Sequence, residues 1–307
     1  MNGRIVVVTG ATGFIGKQLV AALLRAGRTV VALHRRASTD GLVRDERLLW
    51  TSMADAAEAF RRHRPEAVFH LATCYGTDTT LAEVVESNLV MPLGLLELAA
   101  ANGCGLFVNT DTFFGKPEFA YTHMRPYIRS KDEFVRWATL ARELSRGPTL
   151  VTARLEHVYG PGDGEQKFVS MLLRTLTENK PLALTPGDQL RDFVHVDDVV
   201  AAYLAILDGQ LHGGPAVTEI EVGTGAVHSL RDFVETAAAL SGSTSVLKFG
   251  AKPHRDGEIM RSFADTARLR ALGWRARHDL ESGIGATLTA IGQSPRTTDS
   301  DEADAFR

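Results

Sequence analysis

Cysteine is scarce: Cys74 and Cys104 are the only two in 307 residues. Two thiols cannot build a disulfide framework, and their spacing fits no zinc signature. They read as small apolar residues of a reduced compartment, so no metal centre is expected. An excess of one charge is also lacking. Lys and Arg number 34 against 37 Asp and Glu, a formal net charge of -3. There is thus no basic footprint for nucleic acid. No unbroken apolar run reaches the ~18 residues of a membrane helix, so no membrane partner is expected. No internal repeat is visible. An apolar strand begins directly after Arg4, which reads as a cytoplasmic protein without a secretory leader.

What is present is an ordinary globular composition, 44% hydrophobic and 23% charged. Short apolar runs read as buried strands at Ile5–Thr9, Thr29–His34, Glu66–Leu71, Gly105–Asn109 and Leu150–Arg154. Helical patterns lie between them. One follows the first strand with Ile15, Leu19, Ala22 and Leu23 on one side. Others cover Ala56–Arg62, Leu81–Ala101 and Pro126–Leu144. Strands alternating with helices predict an α/β fold, a doubly wound parallel sheet covered on both faces. The pattern loosens after Tyr159, where Gly160–Gly164 is a loop by its turn chemistry. A helix over Lys167–Glu178 follows, then short strands, and a helix capped by Ser229. The expected division is a nucleotide-binding domain over 1–161, with 192–228 packing back onto it. A smaller α+β substrate lobe takes 162–191 and 229–292. Residues 293–307 are polar, acidic and aperiodic, and read as a disordered tail.

The segment Thr9–Gly16 joins the first strand to the first helix with glycines at 10, 13 and 16. Glycine permits the tight turn and lets backbone N–H groups approach a pyrophosphate, which the helix N-terminus then faces. Gly10, Thr12, Gly13, Phe14, Ile15 and Gly16 are therefore candidate dinucleotide contacts. At the end of the second strand an acid would favour the ribose of NAD. Here stand His34, Arg35 and Arg36, with no carboxylate before Asp40. A guanidinium can grip a 2′-phosphate, so NADPH is the expected cofactor; the plain alternative is two solvated arginines.

Tyr127 and Lys131 stand four apart on a helical pattern and so share a face. An ammonium near a phenol favours phenolate, and the expectation is that Lys131 lowers the pKa of Tyr127 for acid–base work. A hydroxyl to position the reacting oxygen falls among Asn109, Thr110, Asp111 and Thr112, just past a strand end where open α/β sheets bind ligands. Asn88 either orders groups near the lysine or is a satisfied polar group of its helix.

Taken in order, these motifs resemble the extended short-chain dehydrogenase/reductases of the sugar-nucleotide epimerase/dehydratase group. Carrying the resemblance are Thr9–Gly16, His70-Leu71-Ala72, Asn88, Asn109–Gly115, Tyr127–Lys131, Arg154–Gly162, Arg191–Val199, Val222–Gly225 and Leu272–Trp274. Within that group the stretches Asn109–Phe114, His123–Tyr127, Arg154–Glu165 and Arg255–Met260 resemble nucleotide-sugar 4-ketoreductases of the CDP-abequose synthase type. The resemblance implies a Rossmann fold and reduction of the C4 ketone of a nucleotide-linked 4-keto-6-deoxyhexose. It makes Thr110, Tyr127 and Lys131 the catalytic set, with Asn88 in support. It places Leu71, Ala72 and Lys131 on the cofactor. Arg191 and Arg255, with Lys167 beside them, would hold the diphosphate, and Asp111, Thr112 and His157 would face the sugar. The group often has Asn where His157 stands. Its 4,6-dehydratases carry Asp-Glu after the catalytic threonine, whereas Asp111 is followed here by Thr112. A homodimer through the Tyr127 helix is the expected assembly. The rival readings are an NAD-dependent epimerase and a non-catalytic NADP(H) sensor.

Overall fold

The computed structural model describes residues 4–35, 44–77, 79–144, 147–211 and 219–292. They form two compact units. The first holds the residues up to Leu155 together with Val200–Val222 and Thr266–Trp274. Its centre is a seven-stranded parallel sheet. Six strands are β1 (Ile5–Thr9), β2 (Thr29–His34), β3 (Leu48–Ser52), β4 (Ala67–His70), β5 (Leu106–Thr112) and β6 (Thr149–Leu155). With the strand Glu219–Val222 they run in the order Glu219–Val222, β6, β5, β4, β1, β2, β3. Val6, Val8, Val30, Val31, Val68 and Phe107 are buried with at most traces of exposure. Strands covered on both faces need such continuous apolar runs. The order reverses between β1 and β4, and ligands of doubly wound sheets bind at such a switch point, beyond the carboxyl ends of the strands.

β5 continues three residues past its expected end, because its pairing with β6 runs through Thr110↔Ala153, Asp111↔Arg154 and Thr112↔Leu155. The polar stretch Asn109–Thr112 is therefore held by the ladder rather than hanging as a loop. β3 carries the short apolar run Leu48-Leu49-Trp50 and pairs with the β2 edge from Val30↔Leu48 through His34↔Ser52.

The run Leu81–Ala101 is helical throughout, with a π turn at Glu86–Val90. Contrary to the sequence expectation, this helix has the length and mean hydropathy, 1.4, of a membrane span. Its apolar character serves packing: Val84, Leu95, Leu96 and Ala99 are buried, and Phe134 and Ala138 of the helix Arg125–Leu144 join the same core.

The second unit holds Glu156–Val199, Gly223–Asp265 and the described residues from Arg275 to Gly292. Helices Phe168–Thr177, Leu230–Ser241 and Leu280–Ala290 bury Leu172, Leu176, Phe233, Ala237, Ile284 and Leu288 against one another. Ser229 and Asp232 form the expected capping box. The division of the chain differs from the sequence expectation for reasons of pairing. The strand His157–Tyr159 pairs with Phe193–His195, which holds both in the second unit. The helix Ala267–Ala271 follows the sheet instead, and Arg268 donates to the Glu219 carbonyl at 2.8 Å. The expected tail, 293–307, lies outside the described residues.

Gly10 has φ +67°, and a Cβ there would stand 2.7 Å from the Ala72 backbone nitrogen. Left-handed strain and overpacking combine, so Gly10→Ala should cost about 2–4 kcal/mol of unfolding free energy. Urea denaturation checks this; an unchanged midpoint would show that the turn relaxes freely.

Candidate active site

The turn from β1 into the helix Phe14–Arg25 is closed by Gly13 N donating to the Gly10 carbonyl at 2.8 Å. Gly13 caps that helix without any side chain, and its first turn holds no acid. The first N–H groups are therefore open to an anion, and the fit to a dinucleotide pyrophosphate is good. Thr12 and Gly13 lie in this turn, and Phe14 and Ile15 start the helix. Gly16 packs against the turn, since a Cβ there would run into the Gly10 carbonyl. Leu71 and Ala72 both donate backbone N–H to Thr9 Oγ1 at 3.2 Å. Thr9 must then give its own hydrogen to His70 Nδ1, 2.9 Å away. So the end of β4 is clipped to the end of β1, against the glycine turn. Arg35 is exposed just after β2. Arg36 lies outside the described residues.

At the end of β3, the Ser52 hydroxyl accepts from Ala54 N.

Lys131 is 2% exposed and donates from Nζ to the Thr110 carbonyl at 2.8 Å. Burial pushes its pKa down to about 8, against the opposing pull of Asp111. Tyr127 is also buried, one turn earlier on the helix Arg125–Leu144. Burial is the largest influence on its phenol and drives the pKa far up; a hydrogen bond with the Thr112 side chain pulls weakly the other way. The expectation that Lys131 pulls Tyr127 down is not met in this state. Desolvation outweighs the charge, and the ammonium is turned to a carbonyl. Tyr127 is a neutral phenol over the whole physiological range, which suits a proton donor.

The hydroxyls of β5 divide between two partners. Thr110 Oγ1 lies 2.7 Å from the hydroxyl of Tyr203. Thr112 meets Tyr127 and also accepts from Phe114 N. Asp111 forms an ion pair with Arg154 Nε at 3.3 Å, and Arg154 reaches Glu219 as well. The carboxylate expected to face the sugar is thus engaged along the sheet, because its register neighbour on β6 is that arginine.

Asn88 sits in the π turn and is 1% exposed. Its amide donates to Ser130 Oγ at 2.9 Å and to the Cys74 carbonyl at 2.8 Å, and accepts from Cys74 N. Ser130 in turn donates to the Tyr127 carbonyl. Asn88 therefore acts at one remove, fastening the helix of Tyr127 and Lys131 to the loop after β4. π turns concentrate at functional sites, and this one has no sequence signature.

In the second unit, Arg191 donates to Glu258 Oε1 at 2.6 Å and to the Leu190 carbonyl. The arginine expected to hold a diphosphate is thus paired with a carboxylate. Glu258 N bonds the Arg255 carbonyl, which places the exposed Arg255 in the same turn. His157 is held down to about 3 by burial and by the Arg191 charge, so it is a neutral imidazole. Lys167 is exposed at the start of the helix Phe168–Thr177. Asp198 accepts from Arg277 N and His278 N and pairs with the His278 ring.

A glycine turn at the switch point, with a buried Tyr–Lys pair beyond β5, defines a dinucleotide-dependent enzyme of the short-chain dehydrogenase class. The profile of the NAD dependent epimerase/dehydratase family matches residues 6–222, and the chain belongs to that family. It is 41% identical to CDP-abequose synthase of Salmonella typhimurium, over 93% of this chain and 98% of the relative. The corresponding enzyme of Salmonella muenchen is 35% identical, over 92% and 97%. Among solved structures, MoeE5 in complex with UDP-glucose and NAD aligns with a TM-score of 0.76 at 28% identity, over 93% of this chain and 98% of that one.

Because Lys131 titrates near 8 while Tyr127 stays protonated, carbonyl reduction should hold level from pH 6 to 7 and fall as pH rises through about 8. The kcat/KM profile reads this directly. A profile flat to pH 10 would show that the lysine charge is not needed.

Proposed function

We propose that this enzyme reduces the C4 ketone of a CDP- or dTDP-linked 4-keto-6-deoxyhexose with NADPH, a step of deoxysugar biosynthesis. One observation carries the reading. The hydroxyl beside Tyr127 is Thr112, while Asp111 is paired with Arg154. A 4,6-dehydratase needs a carboxyl acid–base partner at that place to remove water. Here a protonated phenol and a neutral alcohol meet the ketone, which suits adding hydride and proton. The two curated relatives named CDP-abequose synthase support the same reading.

Bound NADPH supplies a hydride to C4. Tyr127 gives its proton to the ketone oxygen. Lys131 keeps its charge near the phenol as the proton leaves and would bond the nicotinamide ribose of the bound cofactor. Thr110 and Thr112 offer hydroxyls to the developing oxyanion, a type of contact worth about 10²–10³ in rate when removed. Gly10–Gly16 would hold the pyrophosphate, and Arg35 with Arg36 the 2′-phosphate. Arg255, exposed in the turn that also holds Glu258 of the Arg191–Glu258 pair, would contact the sugar-nucleotide diphosphate, together with Lys167.

A second copy of this chain is the proposed partner, in the cytoplasm, with neither nucleic acid nor membrane. The helices Leu81–Ala101 and Arg125–Leu144 support the homodimer. They expose Leu81, Val85 and Val90 on one and Trp137, Leu140 and Leu144 on the other.

The test is NADPH oxidation at 340 nm with purified protein and CDP- or dTDP-linked 4-keto-6-deoxyhexoses. NADPH loss matched by a 4-hydroxy sugar is expected, and Tyr127→Phe should lower turnover by about 10²–10⁴ while NADPH still binds. Full activity in that variant, or sugar isomerisation with tightly held NAD, would overturn the reading. Removing both Arg35 and Arg36 should raise KM for NADPH by about 10–100-fold and leave that for NADH nearly unchanged. Equal effects on both would show that the arginines do not read the phosphate.

A further inference from the structure

Tyr203 lies on the helix Val196–Leu211, one turn past the motif Arg191–Val199, and no sequence pattern pointed to it as a site residue. It has no solvent exposure, and Phe69 packs its edge at 5.9 Å. Its neighbours Ala202, Ile206 and Leu207 are equally buried. A phenol in such apolar surroundings needs a hydrogen-bond partner. Among the described residues that partner is Thr110 Oγ1, at 2.7 Å.

The direction of this bond follows from what each hydroxyl can reach. Among the described residues the buried Tyr203 phenol has Thr110 Oγ1 as its hydrogen-bond partner, so its O–H is satisfied by donating there. Tyr203 donates and Thr110 accepts. Thr110 has one hydrogen, and this arrangement leaves it unused by Tyr203. Thr110 is only half-buried, so its hydroxyl is not sealed in the core. Its carbonyl is meanwhile fixed by Lys131. The carbonyl and the hydroxyl of Thr110 are thus held by groups 21 and 93 positions further along the chain.

We propose that Tyr203 is a positioning residue. Its phenol donates to Thr110 Oγ1, fixes that rotor, and leaves the threonine proton for the substrate carbonyl oxygen. The proposal rests on the ketoreductase reading and deepens it. As negative charge grows on the substrate oxygen, Thr110 donates more strongly, and Tyr203 donates more strongly to Thr110. Chains of hydrogen bonds strengthen one another in this way. Without the phenol, the threonine hydroxyl can rotate to other acceptors and loses its polarising donor.

The experiment is a double-mutant cycle on the full-length enzyme with Tyr203→Phe, Thr110→Val and the double variant. Wild type, Y203F, T110V and Y203F/T110V are read for kcat, KM, NADPH affinity and Tm. Y203F should lower kcat about 10-fold and shift KM for the sugar by less than about twofold. Its cost should vanish in the T110V background, since the relay is then already broken. Thr110→Ser, which keeps the hydroxyl, should restore the sensitivity to Y203F. An unchanged kcat in Y203F would overturn the proposal. So would an equal loss in both backgrounds, because the residue would then act through packing. Should Y203F fail to fold, the Thr110→Val and Thr110→Ser pair compared in Tyr203→His decides the same point. A wild type that interconverts sugar epimers would sink the reductase reading, while the cycle is then read on that rate. A wild type with neither activity overturns both.

Discussion

Lys131 holds a cation in a place with almost no water, 2% exposed, and donates to the carbonyl of Thr110 at 2.8 Å. Burying an ammonium is costly, and the cost appears as a pKa pushed down to about 8. The rest of the site is arranged around keeping that charge where it is. Asp111 favours the charged form from the end of β5, yet it is itself tied to Arg154, so it does not collapse onto the lysine. His70 is kept neutral by burial and by the same charge, and accepts the Thr9 hydrogen that clips β4 to β1. Asn88 and Ser130 lock the helix that carries both Lys131 and Tyr127.

The phenol gains from the same burial in the opposite sense. Desolvation penalises phenolate, so Tyr127 keeps its proton until the developing oxyanion asks for it. In this direction a neutral acid beside a charged lysine is better suited to adding a proton than to removing one. The partners of the two threonines on β5 add to that bias. Thr112 faces the phenol, and Thr110 is backed by Tyr203. Asp111 at that strand end is held in an ion pair with Arg154.

Much of this was legible because it is local. The glycine turn is written in eight residues, and Tyr127 with Lys131 in five. The fold class followed from buried strands alternating with helices, and β2 fell where the apolar run placed it. What could not be read depends on contacts between distant residues. Thr110 finds Tyr203 93 positions away, and Arg191 finds Glu258 67 positions away. No period or motif announces either pair. The end of β5 was missed because Asn109–Thr112 looks like a polar loop, and only the β6 ladder makes it a strand. The pKa relation between Tyr127 and Lys131 was anticipated from charge alone. Burial, which the sequence does not display, reversed its direction.

In the proposed reduction, hydride leaves the cofactor for good and arrives on the sugar. Turnover with NADPH deuterated at the transferred position of the nicotinamide, followed by NMR of the sugar product, tests this most directly. One deuterium on C4 of the sugar, with NADP+ formed in equal amount, is the predicted result. A sugar isomerised at C4 with no deuterium gained and no NADP+ formed would contradict it.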